Sequence, residues 1–237
     1  MLVIAHRGYS SKFPENTLRA FDEGMKAGAD GFECDLRMTS DGHIVVFHDD
    51  DLKRLCGVKG RIETSLLEDI KKLKVKGTES IPRLEEVLTQ FHGTRMNLEI
   101  KESTRPEVIV EGVMRVLGKI RPTGNILFSS FDKGVLESLH KMDENRKLGS
   151  LGILVETAEI ADLPKSLERW SPQTWNVPRQ ILDKPWEQRW RDIAIPPLWI
   201  WTLDEPHDWS AASASKLPVE AIITNKPEAL RAYLANS

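Results

Sequence analysis

Cysteine is scarce in this chain: Cys34 and Cys56 are the only two among 237 residues. That excludes a disulfide framework and makes a reducing compartment the simpler expectation. No run of about 18 apolar residues occurs, so no transmembrane span is expected. Met1-Leu2-Val3-Ile4-Ala5 runs straight into His6, leaving no room for a secretory signal, and a cytoplasmic location is expected. Neither sign of charge dominates. Lys and Arg number 33 against 36 Asp and Glu, a net charge of -3, so no basic field argues for nucleic acid. Without a basic amphipathic stretch, no stable membrane association is expected either. No Gly-x-Gly-x-x-Gly follows a candidate strand, which removes support for a dinucleotide site. The residue two after His6 is Gly8, so the His-x-His metal pattern of amidohydrolase-type barrels is missing too. Nothing in the pattern sets the oligomeric state.

What is present is an alternation of short apolar runs and helical stretches. Strands are expected over Leu2–Ala5, Gly31–Arg37, Met96–Ile100, Ile126–Ser129, Leu151–Val155, Thr174–Val177, Leu198–Thr202 and Ala221–Thr224. Helices are expected between them, over Glu15–Ala27, Arg83–Phe91, Pro106–Ile120, Lys133–Met142, Pro164–Trp170, Asp183–Asp192, Trp209–Ser215 and Pro227–Ala235. Strands alternating with helices imply a parallel sheet with right-handed crossovers. Eight such units imply an α/β fold of the (β/α)8 TIM-barrel type. An open doubly wound sheet is the alternative. The length suits one domain over residues 1–237, with a small insertion after the second barrel strand at about 38–82. In that insertion a helix is expected near Leu66–Leu73. The insertion either caps the barrel mouth or is a solvated surface excursion.

The insertion opens with Asp41-Gly42, a strong hairpin signal. Read as a two-residue turn, it sets Asp35 opposite His48, Arg37 opposite Val46, Leu36 opposite Phe47 and Met38 opposite Val45. A three-residue turn would reverse the parity.

Chemistry-bearing residues collect at the C-terminal ends of the candidate strands, where barrel enzymes carry their sites. His6-Arg7-Gly8 ends the first, with a proton carrier, a bidentate phosphate clamp and a glycine permitting close approach. Glu33 and Asp35 lie two apart, hence on one strand face. Glu99 and Lys101 share a face of a later strand, and His48-Asp49 closes the hairpin. Carboxylates aimed together need neutralising, either by ion pairs with Arg37 and Lys101 or by a hard cation with oxygen ligands. The inventory suits a divalent cation, Mg²⁺ or Ca²⁺, held by Glu33, Asp35 and Glu99. Arg7 and Lys101 would then meet a phosphate, and His6 and His48 would move protons. Cys34 points away from Glu33 and Asp35 and reads as packing. Pro14-Glu15-Asn16-Thr17 reads as a helix start, with Glu15 and Asn16 also placed to hold the loop that carries His6. All seven tryptophans lie between Trp170 and Trp209. Trp201, near its strand's C-terminal end, is the one placed to pack a substrate's carbon chain.

The chain closely resembles the glycerophosphodiester phosphodiesterase family over essentially its whole length. The matching residues are His6-Arg7-Gly8, Pro14-Glu15-Asn16-Thr17, Glu33-x-Asp35, Val45-Val46-Phe47-His48-Asp49, Ile81-Pro82-x-Leu84-Glu85-Glu86-Val87-Leu88, Asn97-Leu98-Glu99-Ile100-Lys101, Ser129-Ser130-Phe131, Trp201-Thr202 and Ile222-Ile223-Thr224-Asn225. The resemblance implies a (β/α)8 barrel and a cation at Glu33, Asp35 and Glu99. It also implies His6 and His48 as the acid–base pair, with Arg7 and Lys101 on the phosphate. It implies cleavage of small-molecule glycerophosphodiesters to an alcohol and sn-glycerol 3-phosphate. A lysophospholipase D-like or phosphoinositide-cleaving barrel, or a non-catalytic phosphate-binding one, are the alternatives. The chain departs from the family pattern at Glu220-Ala221, where Asp-Gly is frequent, and at Asn225, where Asp is frequent. Leu55-Cys56 stands where threonines are frequent. Neither Glu220-Ala221 nor Asn225 is among the candidate catalytic residues, so those two departures bear on substrate fit.

Overall fold

Strands buried on both faces read as apolar runs, and eight such runs here pair in parallel to close a ring. We describe the protein from a computed structural model covering residues 1–146, 150–154, 160, 169, 170, 172–190 and 194–236. The barrel strands are β1 (Leu2–His6), β2 (Gly31–Met38), β6 (Arg95–Ile100), β7 (Ile126–Ser129), β8 (Ser150–Leu154), β9 (Thr174–Pro178), β10 (Leu198–Trp201) and β11 (Val219–Thr224). Each pairs in parallel with the next, and β1 pairs with both β11 and β2, so the ring has no edge. The barrel expected from the alternation is the one found. Its helices include α1 (Leu18–Lys26), α4 (Leu84–Gln90), α5 (Pro106–Ile120) and α6 (Lys133–Arg146), followed by Lys184–Trp190, Pro206–Ala214 and Pro227–Ala235. Most of the helix expected over Pro164–Trp170, and Val155 of the fifth expected strand, lie outside the described residues. Among the described residues no helix is long and apolar enough to cross a membrane.

Alternation along β2 sorts its side chains. Phe32, Cys34 and Leu36 point outward into the layer shared with the helices, while Glu33 and Asp35 point inward. Phe32 stacks on Phe21 of α1 at 4.3 Å between ring centroids, with Phe91 edge-on to both. Burying each such ring stabilises by roughly 1.5–3 kcal/mol, which is what holds α1 against the barrel. The Cys34 thiol is fully buried in this layer, and burial pushes its pKa up. The barrel interior is filled by Ile4, Leu127, Trp199, Ala221 and Ile223.

Two local expectations are corrected. The hairpin after β2 pairs Leu36 with Val46, Arg37 with Val45 and Met38 with Ile44, where β3 spans Ile44–Val46. That is one residue away from the expected register. The turn has three residues, Ser40-Asp41-Gly42, with Gly42 in the left-handed region at φ +83°. Thr39 fixes it, because its hydroxyl donates to Asp41 Oδ1 at 2.7 Å and accepts the His43 amide at 3.0 Å. Asp41 Oδ1 also accepts the Leu67 amide at 3.1 Å, a partner that local reading of the turn does not reveal. The second correction is at α1, which starts at Leu18 and not at Glu15. Asn16 sits at φ +58°, outside helical geometry. Thr17 is the N-cap, its Oγ1 accepting the Ala20 amide at 3.1 Å.

The insertion has a core of its own. Val45, Phe47, Leu52, Leu55, Ile62, Leu67, Ile70, Val75 and Ile81 pack as one buried cluster. Its elements are short: α2 (Lys53–Cys56), a 3-10 turn at Ile62–Thr64, α3 (Leu67–Ile70), and the pair β4 (Lys74–Val75) with β5 (Glu79–Ser80). The helix expected near Leu66–Leu73 is α3 in shortened form.

Candidate active site

A cavity of about 210 Å³ opens at the C-terminal ends of the barrel strands. Seven of the eight candidate residues line it: His6, Arg7, Glu33, His48, Glu99, Lys101 and Trp201. Asp35 is fully buried just behind them. Strand register accounts for the grouping. His6 stands beside Glu33 across β1 and β2, and Asp35 beside Glu99 across β2 and β6. His48 arrives by another route than the expected pairing. Phe47 donates its amide to the Asp35 carbonyl at 2.9 Å. Arg37 Nε then holds the His48 carbonyl at 2.9 Å as the chain leaves the ladder.

Oxygens from Glu33, Asp35 and Glu99 lie within 4.8 Å of one another. Their neutralisation by protein cations is incomplete. Lys101 Nζ pairs with Glu99 and lies 3.3 Å from Asp35 Oδ1. Arg7 Nε lies 3.2 Å from Asp35 Oδ2, but Arg7 Nη1 is drawn away to Glu15 at 2.9 Å. Arg37 turns to the His48 carbonyl and to Asp50, so it pairs with none of the three. Burial raises Asp35, yet Lys101, Arg7, His48 and the Asn16 hydrogen bond outweigh it and hold Asp35 below the usual carboxylate range. Burial, then the Asp35 charge, pushes Glu33 and Glu99 upward. Among the described residues Glu33 Oε1 is buried without a hydrogen-bond partner, and Asp35 Oδ1 meets the Lys101 ammonium at 3.3 Å. Buried carboxylate oxygens so incompletely neutralised fit a hard divalent cation.

The surrounding shell fixes these groups. Asn16 donates from Nδ2 to Asp35 Oδ2 at 2.7 Å and accepts the Asp35 amide at 3.2 Å. Asn16 is therefore a brace for Asp35, Glu15 pairs with Arg7, and Thr17 caps the helix. The Arg7 amide donates to Glu33 Oε2 at 3.0 Å. Gly8 cannot be replaced without a clash, since a Cβ there would sit 2.4 Å from the Ala20 carbonyl carbon. The close approach its place in the motif suggests is to the backbone of α1.

The two histidines have different backing. His6 Nδ1 lies 2.7 Å from Asn225 Oδ1, and its Nε2 lies 3.9 Å from Glu33 Oε2. Burial, then Arg7, lowers the His6 pKa to about 4. His48 Nδ1 lies 2.7 Å from Asp49 Oδ1. Burial lowers the His48 pKa, with Lys101 and Arg7 adding to it and Asp35 and Asp49 opposing.

Trp201 meets Phe131 edge-on at 5.9 Å, and the pair forms an apolar wall of the cavity. Lys101 Nζ lies 5.8 Å from the Phe131 ring centre. Of the two family departures near β11, only one touches the site. Glu220 accepts the Trp199 indole at 2.7 Å and lines a different cavity, with Arg95 and Thr174. Asn225 binds His6, so it belongs to the surroundings of a candidate catalytic residue and not only to substrate fit. Arg54 and Asp204 were missed outright. Arg54 sits in a charged run with no periodicity. Asp204 and Asn225 follow strand C-termini, and that position was the available signal.

A family model described as the Glycerophosphoryl diester phosphodiesterase family matches residues 6–229. A glycerophosphodiester phosphodiesterase of Caldanaerobacter subterraneus is 34% identical over 97% of this chain and 96% of its own. Among solved structures, an Oleispira antarctica phosphodiesterase in complex with the product sn-glycerol 3-phosphate superposes with a TM-score of 0.87. That structure shares 26% identity and covers 99% of this chain and 97% of its own. A Thermotoga maritima glycerophosphodiester phosphodiesterase has a TM-score of 0.79 at 30% identity, covering 98% and 97%.

Proposed function

The chain belongs to the glycerophosphoryl diester phosphodiesterase family and is a phosphoric diester hydrolase, and on that premise we propose how its site works. It acts as one domain on small glycerophosphodiesters, releasing an alcohol and sn-glycerol 3-phosphate. The observation that carries this reading is that Glu33, Glu99, Arg7, Lys101 and two histidines line one cavity, with Asp35 just behind it and grouped with the two glutamates. Glu33, Asp35 and Glu99 hold a divalent cation, Mg²⁺ or Ca²⁺. When bound, such a cation neutralises charge on the phosphoryl oxygens as a Lewis acid.

The protein's own groups do the rest. Arg7 and Lys101 bind the non-bridging phosphate oxygens and stabilise the charge that grows in the transition state. Trp201, with Phe131, packs the carbon skeleton of the diester. One histidine takes the proton of the glycerol 2-hydroxyl, whose oxygen attacks phosphorus. The other gives a proton to the departing alcohol oxygen. A cyclic glycerol phosphate results, and water opens it with the two proton transfers reversed. Each ring ends the cycle as it began.

The test is release of sn-glycerol 3-phosphate from glycerophosphocholine with Mg²⁺, with Ca²⁺ and with EDTA. The expected result is turnover that EDTA abolishes and one of the cations restores. Turnover unaffected by EDTA would overturn the cation assignment. Failure on glycerophosphodiesters together with turnover of a lysophospholipid would overturn the substrate assignment.

A further inference from the structure

The hydrogen bonds around Asn225 leave its side-chain amide one orientation. The Asp204 carboxylate has only acceptors to offer. It takes the Asn225 amide N–H on Oδ1 at 2.7 Å and the Thr224 hydroxyl on the same oxygen at 2.8 Å. Asn225 Nδ2 donates to Asp204 Oδ2 at 2.6 Å. A flipped amide would set oxygen against oxygen there. Asn225 Oδ1 is thereby turned toward β1, where the Ser10 hydroxyl lies 2.7 Å away and His6 Nδ1 also 2.7 Å away. A carbonyl oxygen has no hydrogen to give, so His6 Nδ1 carries the proton of that bond. The other ring nitrogen, Nε2, then holds the lone pair of the neutral ring.

Position makes this consequential. His6 ends the first barrel strand and Asn225 follows the last, and the two are neighbours only because the ring closes between β1 and β11. His6 lines the cavity, with Nε2 on the side of Glu33. An imidazole in the other tautomer would present an N–H to the cavity and could not take a proton there. We infer that Asn225, locked by Asp204, is a positioning residue that fixes His6 as the Nδ1–H tautomer and so makes Nε2 the atom that accepts the substrate's hydroxyl proton. The inference rests on the two-histidine reading. It differs from the arrangement at His48, whose Nδ1 faces a carboxylate, Asp49, and not an amide.

The experiment joins a spectroscopic and a kinetic readout. Long-range ¹H–¹⁵N correlation spectra of the full chain in Mg²⁺ identify which His6 nitrogen is protonated, with His6→Ala assigning the signal. The wild-type ring is expected as Nδ1–H. Asn225→Leu is expected to lower kcat by about tenfold or more with KM little changed, and to mix the tautomers. Asn225→Asp alone sets two carboxylates against each other and is expected to lose activity as well. Adding Asp204→Asn restores a donor at 204 facing an acceptor at 225, and recovery of both kcat and the Nδ1–H signal is expected. A wild-type His6 found as Nε2–H, or an Asn225→Leu enzyme with unchanged kcat, overturns the inference. Unchanged turnover in His6→Ala overturns instead the reading on which it stands, and the spectra keep the two failures apart.

Discussion

Arg54 grips Asp49 in a two-pronged ion pair, Nε to Oδ2 and Nη2 to Oδ1, both at 2.7 Å. The same guanidinium takes Glu15 with a second pair of bonds, at 2.8 and 2.9 Å. Asp49 is the partner of His48, and Glu15 the partner of Arg7. One side chain from the insertion thus aligns the supports of His48, the proposed proton carrier, and of Arg7, the proposed phosphate contact. Replacing it with glutamine, Arg54→Gln, is expected to lower kcat/KM by about tenfold or more. Arg54→Lys should recover little, because an ammonium cannot make two forked pairs. Steady-state kinetics on glycerophosphocholine check this. A wild-type kcat/KM in Arg54→Gln would refute it.

The same network sets a pH limit on stability. Hydrogen bonding to Arg54, then to His48, brings the Asp49 carboxyl to about 2. Glu15 is also lowered: burial opposes, but Arg54 and Arg7 prevail. A carboxyl depressed in the folded state stabilises at pH above its unfolded value and loses that contribution as pH falls through the folded value. Urea midpoints are therefore expected to decline from about pH 4 toward pH 2. The decline should be shallower in Arg54→Gln. Parallel profiles for the two proteins would exclude this network as the cause.

The carboxylate cluster predicts opposite effects of one substitution with and without cation. Glu99→Gln removes a like charge from beside Asp35, so the cation-free protein is expected to melt at a higher temperature than wild type. The same change should abolish the rise in melting temperature produced by Mg²⁺ or Ca²⁺. For wild type that rise corresponds to about 2.7 kcal/mol at a cation concentration of 100 times Kd. Thermal scans in EDTA and in each cation separate the two effects. An unaltered cation response in Glu99→Gln would remove Glu99 from the ligand set.

His6→Ala and His48→Ala are each expected to reduce turnover by at least about 10²-fold. Far-ultraviolet circular dichroism would show whether each variant still folds. Near-wild-type turnover in either one would withdraw that histidine from the acid–base pair.

Legibility in the sequence followed the range of the interactions. The barrel strands were readable because their burial is written into contiguous apolar residues, and Glu33 with Asp35 because a strand's two-residue period is local. The start of α1 was misread because Pro14-Glu15 resembles a helix opening, whereas Asn16 is pulled out of helical geometry by Asp35, nineteen residues on. The hairpin register was misread because Leu67 helps choose the turn. The insertion's helices are four residues long, too short to show a period. Arg54 leaves no trace in the sequence because its meaning lies in partners that only folding supplies, and Asp204 is marked only by its place after a strand's C-terminus. His6 and Asn225 are 219 positions apart.

The three carboxylates stand on β2 and β6, which are neighbours in the ring. The support of His6 lies at the other end of the chain, since Asn225 follows β11, the strand that seals the ring against β1. A chain cut before β11 would therefore keep every residue proposed to hold the cation and lose the residue that orients His6.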